Sequence, residues 1–173
     1  MSIEKTIAAL PSLSTAERAT IKDRATNWLE SGSVEQKENA EKMLAALDAL
    51  EEAEDKERYD RLSGMTVAQR VVEAFKEEPP TDTDTKVIKA LMDHPDSTSA
   101  QLSEAVGWGA QSWHMHFGNM CAVREVFLWP APLSEARPDK KTMTMILADY
   151  DEASSTWKMK PEAAEAFKAM GLG

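Results

Sequence analysis

The 173-residue chain contains a single cysteine, Cys121, so no disulfide can form within it. A lone thiol is typical of a reducing compartment, and we therefore expect a cytoplasmic protein. The sequence also lacks an apolar run of the roughly 20 residues that a membrane-spanning helix needs. Its N-terminus places Glu4 beside Lys5, without the basic lead-in of a secretory signal. We accordingly expect no membrane partner.

Motifs of known catalytic chemistry are missing as well. The chain has no Walker-type phosphate loop, no GxGxxG, no GxSxG and no HExxH. None of its many carboxylates is isolated within an apolar run, as a buried general acid would be. We therefore predict that the protein is not an enzyme and uses no cofactor.

Histidines and the cysteine gather in one predicted helix, but their spacing does not favour a metal site. His114 and Cys121 share a helix face, whereas His116 is turned by about 200° from His114. Zinc needs ligands that converge in a tetrahedron, so we predict no metal. Cys121 lies on the apolar side of that helix, which we expect to face inward with Trp113, Phe117 and Met120. A thiol there stays protonated and unreactive.

Positive charge is scarce in both halves of the chain, whose formal net charge is −10. Residues 1–80 hold 11 Lys and Arg against 17 Asp and Glu, and residues 81–173 hold 9 against 13. The deficits of 6 and 4 account for the whole net charge. Duplex DNA repels such a chain unless a local surface is basic.

Residues 1–80 are predicted to form an acidic helical domain. Capping boxes at Ser14, Ser33 and Thr66 each mark a helix start, and no Gly or Pro interrupts the second helix before Gly64. That helix carries an apolar stripe at spacings of three and four, and a charged end at residues 51–61. The stripe fits either the domain's own core or a seam with a second chain, and the charged end is either solvated or projects towards a homodimer partner. The stripe consists of Ala40, Met43, Leu44, Leu47 and Leu50.

Residues 81–173 form the second predicted domain, after a polar linker at residues 79–85. Their pattern of predicted elements differs from that of residues 1–80, because it includes strands. Three helices are expected at residues 85–93, 99–106 and 110–127, with a glycine-flanked turn at residues 107–109 before the third. Two strands at residues 142–149 and 156–160 would form a hairpin, and Pro161 would start a last helix that ends at Gly171.

This order of elements resembles the winged helix-turn-helix family of DNA-binding domains, over residues 84–172. The resemblance is carried by VIKALMDHP, TSAQLSEAVGW, AQSWHMHFGNMCAVREVFL and MILADYDEASSTWKMK. It does not extend to residues 1–80. The fold expected for the whole chain is therefore mainly α, with an N-terminal helical segment, three further helices, a β-hairpin wing and a C-terminal helix.

The resemblance implies that residues 110–123 are a recognition helix that enters the major groove of double-stranded DNA. The protein would then be a bacterial-type transcription regulator that acts by occupying an operator, as a homodimer joined through its N-terminal helices. Gln111, Ser112, His114, Met115 and Asn119 would face the bases. The donors assigned to phosphate contact are Arg124, Lys140, Lys141 and Lys158.

The sequence departs from that family in its charges. The recognition helix carries no Lys, and the expected wing tip, residues 151–155, is acidic. Winged helices also serve as protein docking modules, so the alternative function is a non-enzymatic adaptor whose protein partner is itself basic. A positive surface beside the third helix would favour DNA, whereas a negative one would favour the adaptor.

Overall fold

The computed structural model describes residues 3–133 and 141–173, and these residues are mainly helical. None of the helices in these ranges is both long and apolar enough to cross a bilayer. The chain divides into two compact units, the N-terminal unit Met1–Ser63 and the C-terminal unit Gly64–Gly173. The helices are α1 (Ile3–Ala9), α2 (Thr15–Ser31), α3 (Val34–Ser63), α4 (Val67–Glu77), α5 (Asp82–Asp93), α6 (Ser99–Ala105), α7 (Ser112–Val123) and α8 (Pro161–Ala169), and the strands are β1 (Ala148–Asp151) and β2 (Thr156–Met159).

The N-terminal unit packs α1 and α2 against the first half of α3. Its α2 begins at a complete capping box, in which the Ser14 amide donates to Glu17 Oε2 over 2.8 Å and the Ser14 hydroxyl accepts from the Glu17 amide. Met43 and Leu47 of the α3 stripe are buried in the unit's own core, which favours the core interpretation. The buried residues of this core are Leu10, Ala25, Ala40, Met43 and Leu47.

The boundary between the two units lies after Ser63, and not near Pro80 as the sequence indicated. The reason is that α4 packs on α8, where the Phe75 and Phe167 rings meet edge to face at 5.1 Å. Its residues Val71, Ala74 and Phe75 belong to the C-terminal core, whereas Val72 is exposed.

Three helices, α5, α6 and α7, form the centre of the C-terminal unit. Capping boxes start α5 at Thr81 and α6 at Thr98, and Gly107 makes the turn with a φ of 75°. Ala110 also has a positive φ, so α7 begins at Ser112 and not at residue 110. The helix face predicted to point inward is buried, with Trp113, Phe117, Met120 and Cys121 in the core.

The first predicted strand, at residues 142–149, is wrong for most of its length. Met143–Ile146 form a 3-10 turn, and β1 starts only at Ala148. The turn packs on α7 beside Gly118, where an added Cβ would lie 3.3 Å from Thr144 Oγ1. Thr144 and residues 146–148 are all buried, so this segment does not have the one-sided burial of a half-exposed strand.

The hairpin pairs β1 with β2 in antiparallel register, from Ala148 opposite Met159 to Asp151 opposite Thr156. An isolated bridge then joins β2 to the segment before α6. Trp157 donates its amide to the Ser97 carbonyl and accepts from the Asp96 amide, each over 2.9 Å. This bridge fixes the hairpin beside the start of α6.

Candidate functional site

The outward side of α7 is exposed and carries no charged side chain. Gln111 precedes the helix, and Met115, Asn119, Ala122 and Val123 follow at helical spacings, with Val126 beyond the last turn. We call these six residues the outer face of α7. Met115, Val123 and Val126 are 56%, 59% and 58% exposed, and together with Ala122 they make four of these six residues apolar. Gln111, Met115 and Asn119 therefore lie where the sequence placed them.

Ser112 and His114, which were expected to contact bases, are half-buried and point to the sides of α7. The Ser112 hydroxyl donates to the Gly109 carbonyl over 2.7 Å. The His114 Nδ1 lies 3.4 Å from the Thr144 hydroxyl, and its ring lies 5.1 Å from that of Trp157. Both side chains therefore take part in the packing between α7 and its neighbours.

Arg124 cannot contact phosphate as predicted, because its side chain is buried. Its guanidinium donates to Asp84 Oδ2 over 3.0 Å and to the carbonyls of Glu78, Pro79 and Met120 over 2.9 to 3.1 Å. The same group lies 4.2 Å above the Phe75 ring. Arg124 thus joins the segment between α4 and α5 to the end of α7 by hydrogen bonds.

The described lysines of the predicted phosphate site each face a carboxylate. Lys141 Nζ lies 3.1 Å from Glu125 Oε1, and Lys158 Nζ lies 3.6 Å from Asp96 Oδ2. The Ala131 amide and Lys141 both donate to Glu125, which lowers the pKa of that carboxyl. Lys140, the remaining predicted donor, lies outside the described residues.

The hairpin adds negative charge to this side of the unit. Asp149, Asp151 and Glu152 are all exposed. Hydrogen bonds from the Ser154 side chain and the Ala153 amide lower the pKa of Asp151, so this carboxylate is ionised at neutral pH. In the described residues, this side of the unit therefore carries paired lysines and exposed carboxylates, and not the positive surface that would favour DNA.

A groove of about 1030 Å³ lies between the start of α7, the start of α6 and the hairpin. Trp157 forms one wall, with the Tyr150 ring 4.5 Å from it and its indole N–H donating to the Ser99 hydroxyl over 2.9 Å. Gln111 and Glu152 also line it. Gln111 therefore belongs both to the outer face of α7 and to this groove.

The sequence did not predict the groove because Tyr150 was assigned to the loop, whereas it lies in β1. The alternation of Trp157 with Lys158 was a usable signal for the second strand, but nothing local placed Tyr150 opposite Trp157. Val123 and Val126 were also missed, since a helix extended to residue 127 gave no reason to single them out.

Cys121 offers no chemistry in the described structure. Its thiol is fully buried, and this burial raises its pKa far above the ordinary value. Among the described residues, no group of His, Cys, Asp and Glu could hold a metal ion. Comparisons of the chain with known protein families, curated proteins and solved structures find no match. The function has to be inferred from the surface of the chain itself.

Proposed function

We propose that the C-terminal unit contains a winged helix-turn-helix module that acts as a non-enzymatic adaptor and docks a protein partner on the outer face of α7. Support for the module comes from the order α5, α6, glycine turn, α7 and hairpin, with the bridge at Ser97 fixing the hairpin beside α6. A cytoplasmic location is part of this proposal, and the single cysteine of the chain supports it.

The outer face of α7 is the observation that carries this proposal. Met115 and Val123 of α7, and Val126 just beyond its end, are each more than half exposed. The helix itself carries no Asp, Glu, Lys or Arg. Burying apolar surface contributes about 25 cal/mol per Å², and the cores of protein interfaces are poor in charged residues and rich in methionine. Asn119 and Gln111 supply hydrogen-bonding groups at the same surface.

DNA binding is the second candidate, and one observation favours it. Gln111 and Asn119 are exposed on one face, and their amides have the geometry that pairs with adenine edges. The lysine pairs at Lys141 and Lys158 are exposed, and such pairs are worth only about 0–1 kcal/mol, so a phosphate could compete for both lysines. The burial of Arg124 and the acidic hairpin tip oppose this candidate.

A capture experiment separates the two candidates. The tagged full chain, with and without nuclease treatment, is incubated with cell extract, and bound proteins are quantified by mass spectrometry. The Val123→Glu variant should lose a set of partners that the wild type retains after nuclease treatment, because a buried carboxylate is costly in a protein interface.

The matched control is Val67→Glu, which makes the same change at an exposed valine of α4 in the same unit. This variant should keep the partners. Retention of every partner by Val123→Glu, or loss of all partners upon nuclease treatment, would overturn the adaptor proposal, and the second outcome would favour DNA.

A further inference from the structure

The groove between α7 and the hairpin has a fixed aromatic wall. Trp157 is held by its indole bond to Ser99 and by two backbone hydrogen bonds to the segment before α6. The Tyr150 and His114 rings pack on it at 4.5 and 5.1 Å. A ligand in this groove would meet a preformed surface, because no ring has to be ordered upon binding.

The charge of the groove selects for a cation. Glu152 is the single Asp, Glu, Lys or Arg among the described residues that line it, and no hydrogen bond or ion pair engages this carboxylate within the described ranges. Asp149 and Asp151 are exposed on β1, on either side of Tyr150. A phosphate or carboxylate ligand would be repelled here, whereas a cationic side chain would be attracted.

We propose that this groove binds an arginine side chain of the docked partner, an inference that rests on the adaptor function proposed above. A guanidinium is planar, stacks on aromatic rings and donates in pairs to a carboxylate. Tyr150 and Glu152 provide the ring and the carboxylate, and the Gln111 carbonyl oxygen provides a further acceptor. A lysine ammonium is compact and strongly hydrated, so it uses such a groove less well.

The groove and the outer face of α7 form one surface, because Gln111 lines both. The partner segment should therefore place an arginine next to apolar residues, with the arginine in the groove and the apolar side chains on Met115 and Val123. This arrangement predicts that the partner contributes a basic and partly apolar peptide segment.

The test uses the full chain and N-acetylarginine amide as the probe, followed by the tryptophan indole N–H resonances in a nitrogen–proton NMR spectrum. The Trp157 resonance should shift and saturate, while the resonance of Trp28 in the N-terminal unit serves as the control. Lysine amide should bind more weakly. Equal shifts of Trp157 and Trp28, or shifts of Trp157 that never saturate, would overturn the proposal.

Two variants test the residues themselves. Glu152→Gln should weaken binding about threefold, as expected for an exposed charge pair, and Tyr150→Leu should weaken it further. Glu165→Gln on α8 removes the same charge from an exposed site in the same unit and should leave affinity unchanged. A loss as large in Glu165→Gln as in Glu152→Gln would mean that only the net charge matters, and would overturn the proposal.

Failure of this inference is distinguishable from failure of the adaptor function. If partner capture is lost in Val123→Glu but unchanged in Glu152→Gln and Tyr150→Leu, the docking surface stands and the arginine groove is wrong. If capture is unchanged in Val123→Glu, the adaptor function itself is wrong.

Discussion

The two units of the chain are stabilised in different ways. In the described residues, the core of the N-terminal unit has five buried members, two of them alanines, whereas the C-terminal core has 22, including Trp113, Phe117 and Phe167. A polar contact also joins α2 to α3, because the Arg18 guanidinium donates to both carboxylate oxygens of Glu54 over 2.8 Å. The two units have similar numbers of residues in α-helices, but these helices are stabilised by very unequal amounts of apolar packing.

The largest effect should come from the C-terminal core. Phe117→Ala removes a fully buried ring and should lower the free energy of unfolding by about 3–5 kcal/mol, because the cavity cannot fully collapse. Met43→Ala in the thinner N-terminal core should cost only about 2 kcal/mol, the low end for such changes. Urea unfolding followed by circular dichroism measures both. Equal losses would break the comparison between the units.

Arg124→Met tests whether this side chain is structural. Removing the guanidinium leaves Asp84 largely buried without its partner and frees three carbonyls, so the C-terminal unit should lose about 3 kcal/mol. Its NMR spectrum should show the change between α4 and α5, around Glu78 and Pro79. A variant as stable as the wild type would mean that the Arg124 contacts contribute nothing to the stability of the unit.

The capping boxes at Ser14 and Thr98, one in each unit, should respond differently to pH because only the first contains a titratable residue. Bonds from the Ser14 side chain and amide lower the pKa of Glu17 below its ordinary value of 4.5. Because the folded pKa is depressed, this stabilisation is present above about pH 4.5 and is lost as the pH falls through the lower folded value. Ser14→Ala should bring the Glu17 pKa back towards 4.5, as measured by NMR titration.

The matched change in the C-terminal unit is Thr98→Ala at the start of α6. Its box uses Gln101, which does not titrate, so the loss of about 1 kcal/mol should not change between pH 7 and pH 4. A loss that varies with pH in Thr98→Ala, or a Glu17 pKa unaffected by Ser14→Ala, would contradict this account of the caps.

Self-association should be the smallest effect. The homodimer remains a prediction, and Met43 and Leu47 are already buried inside the N-terminal unit. The charged end of α3, where Tyr59 is 73% exposed, is the surface we propose for a second chain. Light scattering at micromolar concentration tests this prediction. Twice the monomer mass of 19.2 kDa would support the homodimer, and a clean monomer would count against it.

Features encoded by neighbouring residues could be predicted from the sequence. The boxes at Ser14, Ser33 and Thr66 predicted the helix starts because donor and acceptor are three residues apart. The inward face of α7 followed from helical spacing in the same way. The surface of that helix could be predicted only at Gln111, Met115 and Asn119.

Features decided by distant residues could not be predicted. The partners of Arg124 at Glu78, Pro79 and Asp84 lie at least 40 residues away in the chain, so their carbonyls and carboxylate gave no local signal. The same hydrogen bonds also explain why the boundary was misplaced at Pro80. The segment around Pro79 has no apolar residues to pack, but Arg124 holds it to the end of α7. The strand predicted through Thr144 became a turn because it packs at Gly118, 26 residues earlier.

The most direct test of the claim that the outer face of α7 docks protein and not DNA is the affinity of the full chain for a generic duplex. Phosphate contacts do not depend on sequence, so the test needs no operator. At about 50 mM salt we predict no saturable rise in fluorescence anisotropy up to about 10⁻⁴ M protein, the weak end of non-specific binding. Saturable binding that weakens steeply with salt would contradict the account.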